Sequence, residues 1–406
     1  MMQPLKRITQ TIAYIVGAYP CGRPLSSNGR PPSNNHLFPN GRPLLLLCIS
    51  LILTLLLSAC GFPGLTTTSQ QLPQANQTPE QSPLPPLRLP QDESAHNDLT
   101  EWWYYTGHFN ATDPAGKLHH YGFELVIFQA LRSDLPPVYA SHFAISDITR
   151  GEFHYDQLRQ TEVNASIPNG TSNKGFDIHI GDWSIRGLNG QDHVTAAMKD
   201  YAINLDLSAL KPPTLYNGTG LGSDGLGGFS YYYSRTRMTV TGSLTDHNQP
   251  MHVTGLGWMD HQWGNFLTLG GGGWDWYSMQ LNNNAEIMLY IIRGATGQII
   301  STYASYIDAN ANNHIIHPNA VNATVLDHWT SPVTGITYPS GWRIVLNDPQ
   351  FQVTLTITPQ LKNQELVTYQ STGNVYWEGA TNIQGQVNNK TTNGEGYVEL
   401  TGYTKP

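Results

Sequence analysis

His120-Tyr-Gly-Phe-Glu-Leu-Val-Ile-Phe128 is a run of aromatic and β-branched residues bounded by polar ones, and it reads as a buried strand. The same reading extends along the chain. Residues 176–180, 202–207 and 351–357 alternate apolar and polar with period 2, the pattern of a strand with one wet face. Ile287-Met-Leu-Tyr-Ile-Ile292 is apolar at every position, as a strand covered on both faces would be. Asn169-Gly170, Asn189-Gly190, Asn217-Gly218 and Asp224-Gly225 punctuate these segments, and such pairs tolerate the positive φ of tight turns. No amphipathic helix of useful length is present. The expected fold is all-β, a barrel or a sandwich, and 406 residues suit two such units. Barrels are preferred, because inward aromatics would need a cavity to line.

Composition agrees. Aromatics make up 10% of the chain, with 10 Trp and 21 Tyr, while charged residues reach only 12%, about half the usual share. The net charge is −8 and no Lys/Arg cluster occurs, which excludes a nucleic-acid partner, since phosphate neutralisation needs a basic stripe. The three cysteines are Cys21, Cys48 and Cys60, all upstream of the strands. A disulfide framework, a cysteine-ligated zinc or a thiol nucleophile in the body is therefore excluded.

The Leu- and Ile-rich run 44–59 has the length of a signal-peptide apolar region, with Arg42 just before it. Leu57-Ser58-Ala59-Cys60 follows and resembles the lipobox of bacterial lipoproteins. Cys60 is then the expected lipidation site and the mature N-terminus; an uncleaved membrane anchor is the competing reading. Either places the body in the cell envelope, on the extracytoplasmic face. Residues 1–40 are long for a leader and fit a start codon set too far upstream. From Gly61 to about Pro90 the chain is Gln, Pro, Thr and Ser, too polar to offset its ordering entropy, and it reads as a disordered tether.

Five dense motifs occupy the body: Glu101-Trp-Trp-Tyr-Tyr-Thr-Gly-His108, Ala140-Ser-His-Phe-Ala-Ile-Ser-Asp147, Ser230-Tyr-Tyr-Tyr-Ser-Arg-Thr-Arg237, Gly255-Leu-Gly-Trp-Met-Asp-His-Gln-Trp-Gly264 followed by Trp274-Asp-Trp276, and Tyr376-Trp-Glu-Gly379 with Gly396-Tyr-Val-Glu-Leu-Thr-Gly402. Together, from about Asp92 to Tyr403, they closely resemble the AttH-like family, which includes bacterial carotenoid 1,2-hydratases and proteins labelled secreted hydrolases. The resemblance implies two tandem lipocalin-like (calycin) β-barrels with a ligand pocket in or between them. The expected organisation is a leader over 1–59, a tether over 60–90, an N-terminal barrel over 91–266 and a C-terminal barrel over 267–406. The family hosts several chemistries, among them hydration and polyene cyclisation, so membership does not choose one.

On a strand, Trp258, Asp260 and Gln262 share one face and Met259, His261 and Trp263 the other. If the first face is a lumen, Asp260 sits in an aromatic wall. Burial there favours a protonated acid able to protonate an alkene, and Trp and Tyr faces would stabilise the carbocation. Asp260 is the candidate general acid, with His261 or Glu101 as water-orienting base. The competing role for Asp260 and His261 is to pin neighbouring strands, and for Glu101 a buried ion pair with Arg235 or Arg237. Trp102, Trp103, Tyr104, His108, His142, Tyr232, Arg237, Trp258, Trp263, Trp274 and Trp276 are candidate ligand contacts, with the tryptophans divided between core and pocket wall. No metal-ligand spacing such as HExxH, no Gly-x-Ser-x-Gly elbow and no phosphate loop appears, so neither metal nor cofactor is expected, a metal held by residues distant in the chain being the competing reading.

Three functions compete. One is an enzyme hydrating or isomerising an apolar polyene, isoprenoid or lipid. Another is a non-catalytic carrier of a hydrophobic small molecule, suited to a membrane anchor and an envelope transporter partner. The third is a structural lipoprotein with filled barrels. An acid or base facing the cavity with a perturbed pKa marks the first, and a roomy cavity without ionisable groups the second. Export argues against carotenoid synthesis, which is usually placed on the cytoplasmic side.

Overall fold

The alternation of side chains along each strand decides this architecture, because nearly every central strand has two apolar faces to bury. The computed structural model describes residues 84–132, 135–161, 174–222, 228–265 and 272–405. The leader run 44–59, Cys60, most of the tether, and the turn pairs Asn169-Gly170 and Asp224-Gly225 lie outside the described residues. Within the described residues the regular structure is strand apart from three short 3-10 turns, and no helix is long and apolar enough to cross a membrane.

Two large antiparallel sheets share no strand. The first has at its centre Thr100–Thr112, flanked by Leu118–Arg132 on one side and by Gln249–Gly264 and Ser230–Asp246 on the other. It rolls up until its edge strands Glu152–Gln160 and Phe176–Ile180 approach, where the Gly181 N–H donates to Gln160 Oε1 at 3.3 Å. The second sheet centres on Gly273–Leu281, Lys390–Leu400 and Asn374–Val387. Its edges, Asn313–Ile316 and Val321–Val325, are joined by the 3-10 turn Pro318–Ala320. The fold is therefore all-β, with one rolled sheet following the other.

Each sheet encloses a packed core of its own. In the first, Trp103, Tyr105, Phe123, Leu125, Met259 and Trp263 point inward. In the second, Tyr277, Met279, Ile287, Leu289, Ile291 and Trp377 do so. The alternate residues of the same strands meet in a third cluster where the sheets face each other, including Tyr104, Val126, Trp258, Trp276, Met288 and Tyr290. The all-apolar run at 287–292 is thus covered on both faces as its sequence implies. The seam is tight: a Cβ on Gly122 would meet the Tyr397 hydroxyl at 2.6 Å and the Ala380 Cβ at 2.7 Å.

Of the two places expected for a pocket, in or between the barrels, the aromatic slot lies between the sheets, because Trp103 and Trp263 fill the first core. Two other expectations change. The tether ends before Pro90: Leu87 and Leu89 pack against the first core, and the Tyr231 hydroxyl donates to the Pro85 carbonyl at 2.6 Å. Asn189-Gly190 turns a hairpin with positive φ at both residues, whereas Asn217-Gly218 belongs to a 3-10 turn.

Candidate functional site

The strands at the seam set one carboxyl after another on the face that looks across to the other sheet. On the first sheet Tyr104 is paired with both Val126 and Asp260, and the next inward-facing position along Leu118–Arg132 is Glu124. On the second, Glu378 lies directly opposite Glu399, which is also opposite Trp276. Like charges directly opposed on paired strands repel, and an apolar setting adds the cost of desolvation.

These residues wall a narrow slot. Trp102, Phe128, Trp274, Trp276 and Tyr290 supply its apolar surface, and Glu124, Asp260 and Glu399 open into it beside Tyr104, Tyr232 and Tyr376. Counted as room for the centres of water molecules, its volume is ≈ 40 Å³, space for a few waters. The indoles of Trp102 and Trp274, one from each sheet, are within 15° of parallel with centroids 6.4 Å apart.

The carboxyls differ in their partners. Asp260 accepts from Trp258 Nε1 at 2.7 Å and from the Tyr232 hydroxyl at 2.6 Å, while Trp276 Nε1 donates to the Tyr232 oxygen at 3.1 Å. Burial raises Asp260 to about 6, against the pull of its donors Ser234, Tyr232 and Trp258. Half-buried Glu399 accepts from Trp274 Nε1 at 2.7 Å, and desolvation lifts it to about 7. Glu124 and Glu378 are fully buried and are pushed well above the ordinary carboxyl range, first by burial and, for Glu378, also by Glu399 and Glu124. Each has one oxygen held by a tyrosine of the other sheet and one, Oε2, with no hydrogen bond. The site thus sets glutamates whose protonated form burial favours beside Asp260, whose donors oppose that shift, in one apolar space.

Behind Tyr376 lies His142, whose Nδ1 is 2.6 Å from the Tyr376 hydroxyl and whose Nε2 is 2.9 Å from Ser371 Oγ. Ser371 Oγ in turn donates to Gln157 Oε1 at 2.7 Å. Burial lowers His142 to about 3, so it is neutral.

Of the expected site residues, Trp102, Tyr104, Tyr232, Asp260, Trp274 and Trp276 line the slot, Trp258 anchors Asp260, and His142 supports Tyr376. The others lie elsewhere. Glu101 and His261 do not meet Asp260, because successive residues of a strand face opposite ways. His261 Nε2 and His96 Nδ1 both approach Glu101 Oε1, at 2.7 and 2.8 Å, inside the first core beside Trp103 and Trp263. Burial raises Glu101 well above its usual range and lowers His261 well below its own. Glu101 therefore pairs with histidines, not with Arg235 or Arg237: Arg235 holds Glu93, and Arg237 holds Glu286. Arg237 is thus a strut between the sheets. His108 lies along the seam away from the slot, with Nε2 3.0 Å from Gln360 Oε1.

His96, Glu101 and His261 are the residues able to hold a metal ion by type and proximity among those described, their ligand atoms lying within 4.8 Å. Their facing atoms already hydrogen-bond one another, and the backbone N–H of His96 and Gln129 Nε2 bind the second Glu101 oxygen, while His96 Nε2 is buried without a partner. Sequence reasoning missed Glu124, Glu378, Glu399 and Tyr376 as site residues. The signal for the three glutamates was a lone carboxyl inside an otherwise apolar or aromatic strand.

The model of the AttH-like family matches residues 80–403. The crystal structure of an AttH assignment from Nitrosomonas europaea is 30% identical, with a TM-score of 0.69, and the match covers 80% of this chain and 99% of that one. Kievitone hydratase from Nectria haematococca is similar in fold at 17% identity, with a TM-score of 0.62, covering 80% of this chain and 94% of the hydratase. No curated protein matches the sequence significantly.

Proposed function

The chain belongs to the AttH-like family, and from that premise we propose that its seam slot is the reaction chamber of an acid-catalysed hydratase or isomerase acting on a neutral, unsaturated small molecule. The observation that carries this is Glu124: a carboxyl 0% exposed, opening into an aromatic slot, with Oε2 unpartnered.

Protonated Glu124 delivers its proton to one alkene carbon, and positive charge develops at the neighbouring carbon. The indole and phenol faces stabilise that charge. Water adds to the cation and loses a proton to Asp260, whose three donors keep it more acidic than the glutamates. The net change is addition of H and OH, with Glu124 left ionised and Asp260 protonated until solvent exchange resets both. Asp260 becomes the base in this scheme and Glu124 the acid. Loss of the proton from the cation without water capture gives isomerisation. A carrier would need a roomy cavity without converging ionisable groups, and this slot is small and acidic.

The test is a panel of neutral polyenes and enones incubated in H₂¹⁸O and read by mass spectrometry. Product carrying one added water is expected, and Glu124→Gln should reduce it by about 10²–10⁴-fold, the usual contribution of a general acid. Absence of any water adduct or isomer across the panel would overturn the reading.

The setting we propose is the extracytoplasmic face of the membrane, through a lipid on Cys60, with an envelope transporter as the source of cargo. The lipobox residues 57–60 support it. Metabolic labelling with a clickable fatty acid should mark the wild type and not Cys60→Ala; equal labelling would refute the anchor.

A further inference from the structure

Buried carboxylates elsewhere in this chain are commonly covered by a cation: Glu93 by Arg235, Glu286 by Lys211 and Arg237, Asp275 by Arg293, Asp246 by Arg150. At the slot Glu124, Asp260 and Glu399 converge, with Glu378 paired opposite Glu399 and bonded to the slot-lining Tyr104, and no Lys or Arg among the described residues pairs with any of the four. A second observation is independent of charge. Glu124 Oε2 and Glu378 Oε2 lie in fully buried side chains without a hydrogen bond, in a structure where buried polar atoms are nearly all partnered. A third is the wall: Trp102, Trp274 and Tyr290 line the slot, and aromatic rings attract cations over their faces.

We infer that the slot binds an organic cation bearing N–H donors, a primary ammonium on a slender apolar chain, in preference to a neutral molecule of the same shape. The inference rests on the reading that the slot is the ligand site, and deepens it. The ammonium occupies the place where positive charge develops during alkene protonation. One N–H satisfies Glu124 Oε2, the others reach the ionised carboxylates, and the chain lies along the indoles toward half-buried Glu399. The limited volume selects a compact head group. The same field repels carboxylate ligands, so fatty acid anions are excluded.

The experiment compares n-butylammonium with 1-butanol, at matched ionic strength and pH 8, on the full chain in a non-ionic detergent. Binding is followed by calorimetry and tryptophan fluorescence. Butylammonium should bind at least tenfold more tightly than the alcohol. The ratio should shrink as pH falls toward 5, where the carboxyls take up protons while the amine stays charged. In the Glu124→Gln/Glu399→Gln double variant the ratio should fall to within about twofold, with circular dichroism and Tm reporting that the fold is retained; Glu399→Gln alone, at a half-buried position, should give an intermediate ratio. Equal affinity for amine and alcohol, no binding of either, or a preference that survives the double substitution would overturn the inference. Cation preference without turnover of any alkene would remove the hydratase reading and leave this one, and turnover without cation preference would do the reverse.

Discussion

Tyr104 of the first sheet donates its hydroxyl to Glu378 of the second at 2.6 Å, and Tyr376 of the second returns a hydrogen bond to Glu124 of the first at 3.2 Å. This reciprocal exchange ties the two sheets at the slot. It also holds both carboxyls in place by one oxygen while leaving the other open. The stability of the seam and the proposed chemistry of the slot therefore rest on the same groups, and substitutions at them have effects that can be told apart.

Tyr104→Phe leaves both oxygens of Glu378 unpartnered in a buried setting. It should destabilise the fold by about 1–3 kcal/mol, the cost of a stranded buried polar group. Urea unfolding checks this. Adding Glu378→Met should recover part of the loss, since removing both partners costs less than removing one. No recovery would mean that Glu378 does not depend on Tyr104.

Asp260 imposes a pH dependence of defined sign. Its carboxyl is raised from 3.8 to about 6 in the fold, so between those values the folded state holds more protons than the unfolded chain. Stability from this group is greatest at low pH, falls as pH rises from about 4 to 6, and is level above. That rise corresponds to about 3 kcal/mol. Asp260→Asn removes the slope, so its unfolding free energy relative to wild type should rise by up to about 3 kcal/mol between pH 4 and 7. The neutral His96 and His142, each lowered to about 3, oppose this slope in both proteins and cancel in the difference. A difference flat with pH would show that Asp260 is not buried as described.

Glu286→Gln should cost about 3–5 kcal/mol, because it strands two buried cations. Lys211 Nζ lies 2.7 Å from Glu286 Oε2, and Arg237 Nε donates to Oε1. Chemical denaturation measures the loss. Hydrogen exchange should quicken along Ser230–Asp246 and Glu286–Arg293, the strands this residue joins. A loss below about 1 kcal/mol would contradict the strut.

Gly122→Ala should cost about 1–3 kcal/mol through overpacking at the seam, since the added methyl meets both Tyr397 and Ala380. Tm is the readout. Retained stability would indicate that the sheets can part at this point.

Much of the fold was legible in the amino-acid order, and the reason is local. Period-2 alternation at 202–207, the unbroken apolar run at 287–292 and the Asn189-Gly190 turn each state their structure within a few residues. The opposition of Asp260 and His261 was equally legible, because strand geometry forces neighbours apart. Which face was the site could not be read, since each face of Gln249–Gly264 carries one tryptophan and at least one titratable group, Trp258 with Asp260 and Trp263 with His261.

What the sequence determined by itself was the class of the protein: all-β, cysteine-free in its body, dense in aromatics, and carrying the motifs of its family. What the tertiary structure decided was the partnership. Glu124 and Tyr376 are 252 residues apart in the chain, and so are meaningless to each other until two rolled sheets dock. The physical reason is range. Backbone preference and side-chain alternation act over a few residues, whereas desolvation and unmet hydrogen bonds depend on whatever the far end of the chain brings to the same place.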